Sequence, residues 1–407
     1  MSRQRSNEPV TVAVIGGGAV GVSLARSLAE LGAAVTLYEA GDLASGASGR
    51  AAGICYDAFG DRRDVRLARD ALAAFRSLSA ASDRFAFVDR PYVWLARDGD
   101  DRRAARIRED AAGMRERGVA VEVLDGAALA DRWPALVTGD VAVAAVADNA
   151  GYAEPAAYTR AVADRAEAAG ATIRTDTPAT LVGDGRTVRA GGTRRRFDAV
   201  AVAAGAHSRQ VLAGVDLPVP VKPYRVQALV AGPADRTVPI LYDATGGYYL
   251  RPDADGLLVG DGTEPIERDP DDWDREVDDR FRTACADYQR RAIGRAADPV
   301  RAWAGLCTAT PDGDPLVGER APGVFVACGF QGHGFMRAPA IGDRLAARIL
   351  ESEGDTREGE DRAVTGAGRG KTEPLRGFAP TRFDGDESFE IVEGMRIDGE
   401  DEREAGR

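Results

Sequence analysis

A glycine-rich turn near the start of the chain places the strongest constraint on its fold. Residues 10–15 are an apolar, β-branched run, followed by GGGAVG and then by helical spacing over residues 19–31. A second strand pattern at residues 35–38 ends at the acidic Glu39. Because a strand, a helix and a strand follow one another closely, we predict a βαβ unit, which needs a parallel sheet and a right-handed crossover.

The turn has the spacing of a dinucleotide-binding loop. Gly16, Gly18 and Gly21 form G-x-G-x-x-G. The first glycine permits a tight turn, the second lets the backbone approach a pyrophosphate, and the third allows close packing of helix on strand. The pyrophosphate would lie at the positive end of the helix. Glu39, about 20 residues on, would accept hydrogen bonds from ribose hydroxyls and repel a 2′-phosphate, which disfavours NADP. The alternative is a structural turn beside a surface glutamate.

The segment ASGASGRAAGI, residues 44–54, is rich in glycine and hydroxyl groups. The hydroxyls of Ser45 and Ser48 can donate to phosphate, and consecutive backbone N–H groups can form a nest for an anion. A flexible linker would have the same composition. The segment therefore supports phosphate binding, and the glycine turn alone does not decide between NAD and FAD.

The charge composition narrows the class of partner. The formal net charge is -12, which argues against nucleic acid, since phosphate backbones are bound by clustered Lys and Arg. Lys222 and Lys371 are the only lysines, and an excess of acid with so little lysine suggests a high-salt cytoplasm. A GC-rich genome would explain the same lysine deficit.

Cysteine and histidine are too scattered for a metal site. The four cysteines form no CxxC pair, which predicts a reducing compartment and no zinc framework. The only histidines are His207 and His333, and neither lies in a Cys/His/Asp cluster, so we expect no metal. The start of the chain has no apolar signal core, and no apolar run is long enough to span a bilayer. We therefore predict a soluble cytoplasmic protein.

The remaining patterns predict two interleaved domains. We expect an α/β fold in which a Rossmann-like cofactor domain with a parallel sheet is interleaved with an α+β substrate domain built on an antiparallel sheet. Helices are expected at residues 65–78, 155–169 and 271–291, and strands at residues 225–230, 248–251 and 257–260. The predicted boundaries are 10–85, 140–220 and 300–350 for the cofactor domain, 86–139 and 221–299 for the substrate domain, and 351–407 for an acidic, largely disordered tail in which residues 375–383 can dock.

Seven further motifs carry a resemblance to a known family. In order they are YEAG, ASGASGRAAG, AAGAHSRQ, PYRVQ, YYLRPDADGLLVG, WAGLCTATPDGDPLVG and GFQGHGFMRAPAIGDRLA. With VIGGGAVG they span roughly residues 10–350, and the chain resembles the FAD-dependent D-amino acid oxidase superfamily, particularly its glycine oxidase, sarcosine oxidase and D-amino acid dehydrogenase branch. The resemblance implies FAD and hydride transfer from a CH–N bond next to a carboxylate, which gives an imine that hydrolyses to a 2-oxo acid. We expect non-covalent FAD, because no histidine lies near the amino-terminal loop and Cys307 is offset from the family's flavin-linking cysteine.

The resemblance also implies a role for the loop around His333. In the family this loop passes the pyrimidine end of the flavin, where backbone N–H groups of residues 332–336, at the start of a predicted 339–350 helix, would stabilise negative charge. His333 is then a packing or hydrogen-bonding residue more than a base. The expected cofactor-binding residues are Gly16, Gly18, Ala19, Val20, Gly21, Glu39, Ser45, Ser48, Arg50, Gly53, Ala179, Ala204, Gly205, Gly305, Gly332, His333, Gly334, Phe335 and Met336.

The substrate side departs from the family pattern. Cys307 stands where the glycine oxidase branch has a carboxylate-binding arginine, Met336 where sarcosine oxidases have a substrate-binding lysine, and Leu258 where they have an oxygen-activating lysine. A carboxylate still favours an arginine partner. Arg251 is our candidate, with Tyr249 on the same strand face, and a surface arginine is the alternative. Arg225 and Arg50 are reserves, and Lys222 is a weaker option.

Partners and rival functions stay open at this point. We expect a small amine or amino acid as substrate, oxygen or a carrier as electron acceptor, and a homo-oligomer or a complex subunit as assembly. The rivals are an NAD-dependent dehydrogenase, the flavin subunit of a multi-protein dehydrogenase complex, and a flavoprotein acting on a 2-hydroxy acid or a tRNA-derived amine. Sequence separates the last of these poorly, because one scaffold supports many pockets.

Overall fold

Two large β-sheets organise residues 8–357 and 373–392, the part of the chain that the computed structural model describes. The strands are β1 Thr11–Ile15, β2 Ala34–Tyr38, β3 Ile54–Tyr56, β4 Phe87–Asp89, β5 Tyr92–Arg97, β6 Val121–Leu124, β7 Val141–Ala147, β8 Ala150–Ala153, β9 Thr172–Arg174, β10 Ala179–Val182, β11 Thr187–Ala190, β12 Thr193–Arg196, β13 Ala199–Val202, β14 Lys222–Ala231, β15 Ile240–Asp243, β16 Tyr248–Asp253, β17 Gly256–Glu267, β18 Pro299–Ala309, β19 Leu316–Ala321 and β20 Val324–Cys328. The helices are α1 Ala19–Glu30, α2 Arg62–Ala80, α3 Asp101–Glu116, α4 Gly126–Arg132, α5 Pro155–Ala168, α6 Ser208–Ala213, α7 Asp279–Ile293 and α8 Gly334–Arg357.

The first sheet is the predicted parallel one. Its order is β19-β20-β13-β1-β2-β9, and every neighbouring pair is parallel except β19 and β20. Successive side chains of β1 point to opposite faces: Val12 and Val14 pack in the core that contains α1, α5 and α8, and Ala13 and Ile15 pack against β10–β12. Both faces are covered, which is why these strands read as continuous apolar runs.

The second sheet is the predicted antiparallel one. It has eight strands in the order β18-β14-β17-β16-β15-β5-β7-β6, and all its pairs are antiparallel except β5 with β15. One face packs on α7 through Phe281, Cys285 and Tyr288. On the opposite face, Trp94 and Tyr242 belong to the same apolar core as Val12 and Val14 of the parallel sheet. The mixed α/β fold predicted from the sequence is therefore confirmed.

Two strands pair in a different sheet from the one that their predicted domain implies. β7 and β18 fall inside ranges predicted for the cofactor domain, and both pair in the eight-stranded sheet. β18 forms an antiparallel ladder along β14 from Lys222–Ala309 to Ala231–Pro299, and such non-local pairing leaves no local sequence signal. The division into two domains stays a prediction.

Two helices begin at residues other than those predicted from the sequence. The helix predicted at 271–291 begins only at Asp279, because the Arg225 guanidinium binds the carbonyl oxygens of Asp274 and Glu276, which a helix would use internally. The helix predicted at 339–350 begins at Gly334 and continues to Arg357, into the range predicted as disordered.

The docking of the tail is confirmed where the structure describes it. Leu375 and Phe378 are buried, and Arg382 donates to both carboxylate oxygens of Asp312 and to the Asp314 carbonyl. Residues 358–372 and 393–407, also predicted as disordered, lie outside the described residues.

Candidate functional site

A cavity of about 620 Å³ lies where the carboxyl ends of β1, β2 and β13 meet. This is the edge at which open parallel sheets bind ligands. The predicted cofactor residues that line it are Gly16, Gly18, Ala19, Val20, Glu39, Ser45, Ser48, Arg50, Ala179, Ala204, Gly205, Gly305, Gly332, Gly334 and Phe335. The glycine turn and the loop before α8, more than 300 residues apart in sequence, thus reach one cavity.

The glycine turn has no room for side chains. Gly16 has φ +113°, and a Cβ on it would lie 2.4 Å from the Ala203 carbonyl oxygen. A Cβ on Gly21 would lie 1.9 Å from the Gly16 carbonyl oxygen, which is the close helix–strand packing expected of the third glycine. The Ala19 N–H donates to the Ser48 hydroxyl at 2.9 Å, so the loop at 44–54 is tied to the first turn of α1. The positive end of α1 therefore opens into the cavity.

Glu39 is fixed at the end of β2. Its Oε2 accepts from the Gly17 N–H at 2.6 Å and its Oε1 from the Gly41 N–H at 2.9 Å. The carboxylate lines the cavity beside Ala179 and Thr180. Each carboxylate oxygen has a second lone pair, so the group can still accept from ribose hydroxyls as predicted.

Four predicted cofactor residues do not line this cavity. Gly21 and Gly53 serve close backbone packing, since a Cβ on Gly53 would lie 1.9 Å from the Ala153 carbonyl oxygen. Met336 is buried in the apolar core beneath α8. His333 turns away from the cavity, and its Nε2 lies 3.3 Å from the Tyr56 hydroxyl.

His333 is held as a neutral imidazole. Burial, and secondarily the Arg337 cation one helical turn on, lower the pKa of His333 from 6.5 to about 3, and a hydrogen bond to the Gln331 backbone only partly opposes this. The ring also meets Phe59 edge to face, with centroids 5.9 Å apart. A neutral ring nitrogen facing the Tyr56 hydroxyl can hold or exchange a proton there without carrying charge.

A His333→Gln variant is expected to lose part of the acid sensitivity of folding. The folded chain keeps this ring neutral down to about pH 3, whereas the unfolded chain binds a proton below its ordinary pKa of 6.5. Because the unfolded state then holds more protons, stability from neutral His333 is full above that value and is lost as the pH falls toward 3. Urea denaturation at several pH values in this window should show a steeper loss of unfolding free energy for the wild type. Parallel pH profiles for both proteins would contradict the assignment.

The face of the eight-stranded sheet next to His333 is aromatic. Trp94, Tyr242, Tyr249 and Gly260 are successive partners across four strands and so share one face. The Tyr249 ring covers Gly260, since a Cβ there would lie 2.2 Å from its hydroxyl oxygen. Next to this row, Tyr92 stacks on Tyr56 with centroids 4.3 Å apart. The predicted Tyr249 thus belongs to an aromatic wall opposite the loop that contains His333.

The predicted anchor Arg251 is already well bound by the protein. It is 1% exposed, and its Nε donates to the Ala52 carbonyl at 2.5 Å, its Nη1 to the Pro252 carbonyl at 2.7 Å and its Nη2 to Glu154 at 2.9 Å. The reserve Arg225 likewise binds Glu264 and backbone carbonyls. Carboxylate anchoring by Arg251 stays a prediction, and the geometry gives it a second role, fixing the backbone at Ala52.

Sequence reasoning missed one group of cavity residues. His207, Gln210, Pro270, Trp273 and Arg275 also line the cavity. Two of them, Trp273 and Arg275, lie in a stretch predicted as helix, which hid their approach to the cofactor loops. Cys307 lines the cavity beside Gly305, while Cys55, Cys285 and Cys328 are buried.

Residues 8–357 and 373–392 contain neither a metal-binding cluster nor a membrane-spanning helix. This part of the chain contains no group of three or more His, Cys, Asp or Glu side chains arranged to hold a metal ion. None of its helices has both the length and the apolar composition needed to cross a bilayer.

The cavity fits a dinucleotide flavin. A Cβ on Gly16, Gly17 or Gly18 would lie within 2.9 Å of another atom, the amino termini of α1 and α8 border the cavity, and Glu39 stands at the end of β2. These features suit an elongated ligand with a diphosphate in the middle, ribose hydroxyls at one end and an anionic ring at the other.

Known proteins share this sequence pattern and fold. The chain is 28% identical over 368 residues to 4-methylaminobutanoate oxidase (formaldehyde-forming) of Paenarthrobacter nicotinovorans, covering 84% of this chain and 44% of that protein. It is 26% identical over 378 residues to human mitochondrial dimethylglycine dehydrogenase, covering 84% of this chain and 42% of that protein. The chain thus spans about half the length of the curated relatives it matches.

A solved structure and a family assignment agree with these relatives. L-proline dehydrogenase from P. horikoshii superposes with a TM-score of 0.79 at 26% identity, covering 92% of this chain and 98% of that one. The family described as FAD dependent oxidoreductase matches residues 11–348. This match covers the glycine turn, both sheets and the loop before α8, so the chain belongs to the FAD dependent oxidoreductase family.

Proposed function

We propose that this chain oxidises the CH–N bond of a small amino acid, with glycine, sarcosine and D-amino acids as the substrate class. The product is an imine that hydrolyses to a 2-oxo acid and ammonia or a primary amine. Relatives named for methylamino and dimethylamino acids support an amine as substrate. N-methylated amino acids therefore belong among the test substrates as well. Oxidation of their N-methyl CH–N bond would give an imine or iminium that hydrolyses to formaldehyde and the demethylated amine, in place of a 2-oxo acid.

The observation that carries the proposal is the meeting of two distant loops at one cavity. The glycine turn supplies the amino terminus of α1, and residues 332–334 supply the amino terminus of α8. FAD, when bound, supplies the acceptor for the hydride. An NAD-dependent dehydrogenase would share the first loop and would leave the second without a role.

Different residues would bind the diphosphate and the flavin ring of the cofactor. Ser45, Ser48 and the first turn of α1 would bind the diphosphate, and backbone N–H groups at the start of α8 would oppose negative charge on the flavin ring. We propose non-covalent attachment, because Cys307 lines the cavity at a position offset from the family's linking cysteine.

Orientation and desolvation would be the main contributions on the substrate side. Tyr249 and the aromatic wall would exclude water and position the amine. Neutral His333, with Tyr56, would hold a proton near the substrate without adding positive charge, which favours binding of the deprotonated amine. Arg251 remains the proposed carboxylate partner.

Anaerobic absorbance spectra of the purified protein test the proposal. We expect a flavin band near roughly 450 nm that bleaches with sarcosine, glycine, dimethylglycine, 4-methylaminobutanoate or a D-amino acid. The matched control is each corresponding 2-hydroxy acid, which lacks the nitrogen and should leave the band unchanged. Bleaching by a hydroxy acid alone would overturn the proposed substrate, and a protein unable to bind FAD would overturn the proposed function altogether.

A further inference from the structure

Residues 268–278, which we call the strap, connect β17 to α7 and run along the cofactor cavity. At one end the Arg268 N–H donates to the Pro223 carbonyl at 2.8 Å, and at the other the Asp278 N–H donates to Gln227 Oε1 at 2.9 Å. Between these points Pro270, Trp273 and Arg275 line the cavity. The strap connects a strand of the eight-stranded sheet to the helix that packs on this sheet. It nevertheless forms one wall of a cavity that is built mainly by the parallel sheet and its loops.

The strap is held on both sides. Toward the eight-stranded sheet, the buried Arg225 binds the Asp274 and Glu276 carbonyls, and the Ala304 N–H donates to the Arg275 carbonyl at 3.1 Å. Toward the parallel sheet, Asp271 lies 3.2 Å from His207 Nε2 through one oxygen and 3.2 Å from Gln210 Nε2 through the other. His207 and Gln210 follow β13 and line the cavity, so Asp271 joins the strap to a segment of the cofactor site.

Two arginines face this cavity without an acidic partner. Arg275 and Arg50 both line it, and within residues 8–357 and 373–392 neither has a carboxylate at ion-pair distance. Burial, and then the nearby Arg275 cation, lower the pKa of Arg50. Two like charges that approach each other without a counterion are unfavourable unless an anion binds between or beside them. Arg50 is half-buried and Arg275 is exposed, so solvent screens part of this repulsion and an incoming anion can reach both side chains.

The position of Arg50 indicates which anion the two arginines would bind. Its Nη1 donates to the carbonyls of Ser45 and Gly46, in the loop whose Ser48 accepts from the Ala19 N–H at the start of α1. Arg50 therefore belongs to the loop that is tied to the helix amino terminus at which a dinucleotide places its diphosphate, and Arg275 lines the same cavity near Arg50. Trp273 lies against Arg275, with the guanidinium carbon 5.1 Å from the ring centroid, and limits the directions that this side chain can take.

We propose that the strap is part of the cofactor site: Arg275 and Arg50 bind the diphosphate of FAD, and Asp271 keeps the strap closed against His207 and Gln210. This inference rests on FAD binding and is independent of which substrate is oxidised. It makes the strap the element that has to open for the cofactor to enter or leave. Loss of Asp271 should therefore change the rate of exchange, and loss of Arg275 should change the affinity.

The affinity is tested by titrating FAD into apoprotein and following flavin fluorescence. Arg275→Gln is expected to raise the Kd for FAD roughly tenfold at low salt, since an arginine–phosphate hydrogen bond is charge-assisted. Rising salt should weaken wild-type binding more than binding by the variant, because the screened interaction is already missing there. Arg280→Gln removes the same charge from an exposed position on α7 and is the matched control. Equal Kd values for the two variants would overturn the proposal.

The closure is tested by the dissociation rate of FAD from the holoprotein. Asp271→Asn is expected to speed release several-fold, and Asp272→Asn, an exposed neighbour, should leave the rate unchanged. Equal rates for the two variants would remove the role of Asp271. If the wild type binds FAD and is bleached by an amine while Arg275→Gln binds like Arg280→Gln, only the strap assignment fails. A wild type that binds no FAD would overturn the strap and the proposed function together.

Discussion

Replacing Gly16 by alanine is expected to remove FAD from the purified protein and to destabilise the fold. The residue has φ +113°, and the new Cβ would lie 2.4 Å from the Ala203 carbonyl oxygen. The backbone conformation costs about 1–2 kcal/mol for a residue with a Cβ, and overpacking costs about 1–3 kcal/mol more. Relief of the clash would move the turn away from β13 and open the cradle at its tightest point. The ratio of flavin to protein absorbance and a urea denaturation curve measure both effects.

Gly32→Ala is the matched control for this change. Gly32 follows α1 and also has a left-handed backbone, with φ +88°, but a Cβ there would meet no atom within 4 Å. It should therefore lose about 1 kcal/mol of stability and keep full FAD content. Full FAD content in Gly16→Ala would mean that the turn does not approach the cofactor as closely as proposed.

The βαβ unit was predictable because its determinants are local. The period of the apolar residues, the three glycines and Glu39 all lie within 30 residues, and the structure shows the steric reasons predicted for Gly16 and Gly21. The antiparallel strands β14, β16 and β17 could be predicted for the same reason, because their strand patterns are local. Strand partners were not visible, because the choice of β18 as the partner of β14 depends on residues about 80 positions apart.

The strap shows where local reasoning fails. Residues 271–278 have helical composition, but their carbonyls are bound by Arg225, a residue about 50 positions earlier in the chain. A tertiary hydrogen bond from a buried guanidinium overrides a weak local propensity. The same limit applies to His333: its position between glycines predicted a backbone role, but its burial and its contact with Tyr56 depend on packing that no motif encodes. The predicted high-salt adaptation and cytoplasmic location remain predictions.

Arg251→Met is expected to be the most destabilising side-chain truncation near the site. Arg251 is 1% exposed, and its removal leaves the carbonyls of Ala52 and Pro252 without their donor, while the buried Asp253 keeps Arg301 at 2.9 Å. Leaving a buried acceptor without its hydrogen-bond donor costs about 1–3 kcal/mol, and two such carbonyls make this a large part of the total stability of an ordinary domain. Ala52 belongs to the loop that lines the cavity, so FAD content should fall as well. Denaturant unfolding and flavin absorbance measure the two losses.

Arg301→Gln is the control, and kinetics separate the two roles of Arg251. Arg301 pairs with the same Asp253 at 2.9 Å, but its side chain is 45% exposed, so its loss should cost only about 0–1 kcal/mol.

Arg251→Lys keeps the charge and loses the simultaneous bonds to Ala52 and Glu154. If Arg251 mainly fixes the loop, this variant should lose FAD affinity with little change in KM at saturating FAD. If it anchors the substrate carboxylate, KM should rise while FAD affinity and stability stay near those of the wild type. Wild-type stability in Arg251→Met would exclude the structural role, because the carbonyls of Ala52 and Pro252 would then have lost their buried donor at no cost.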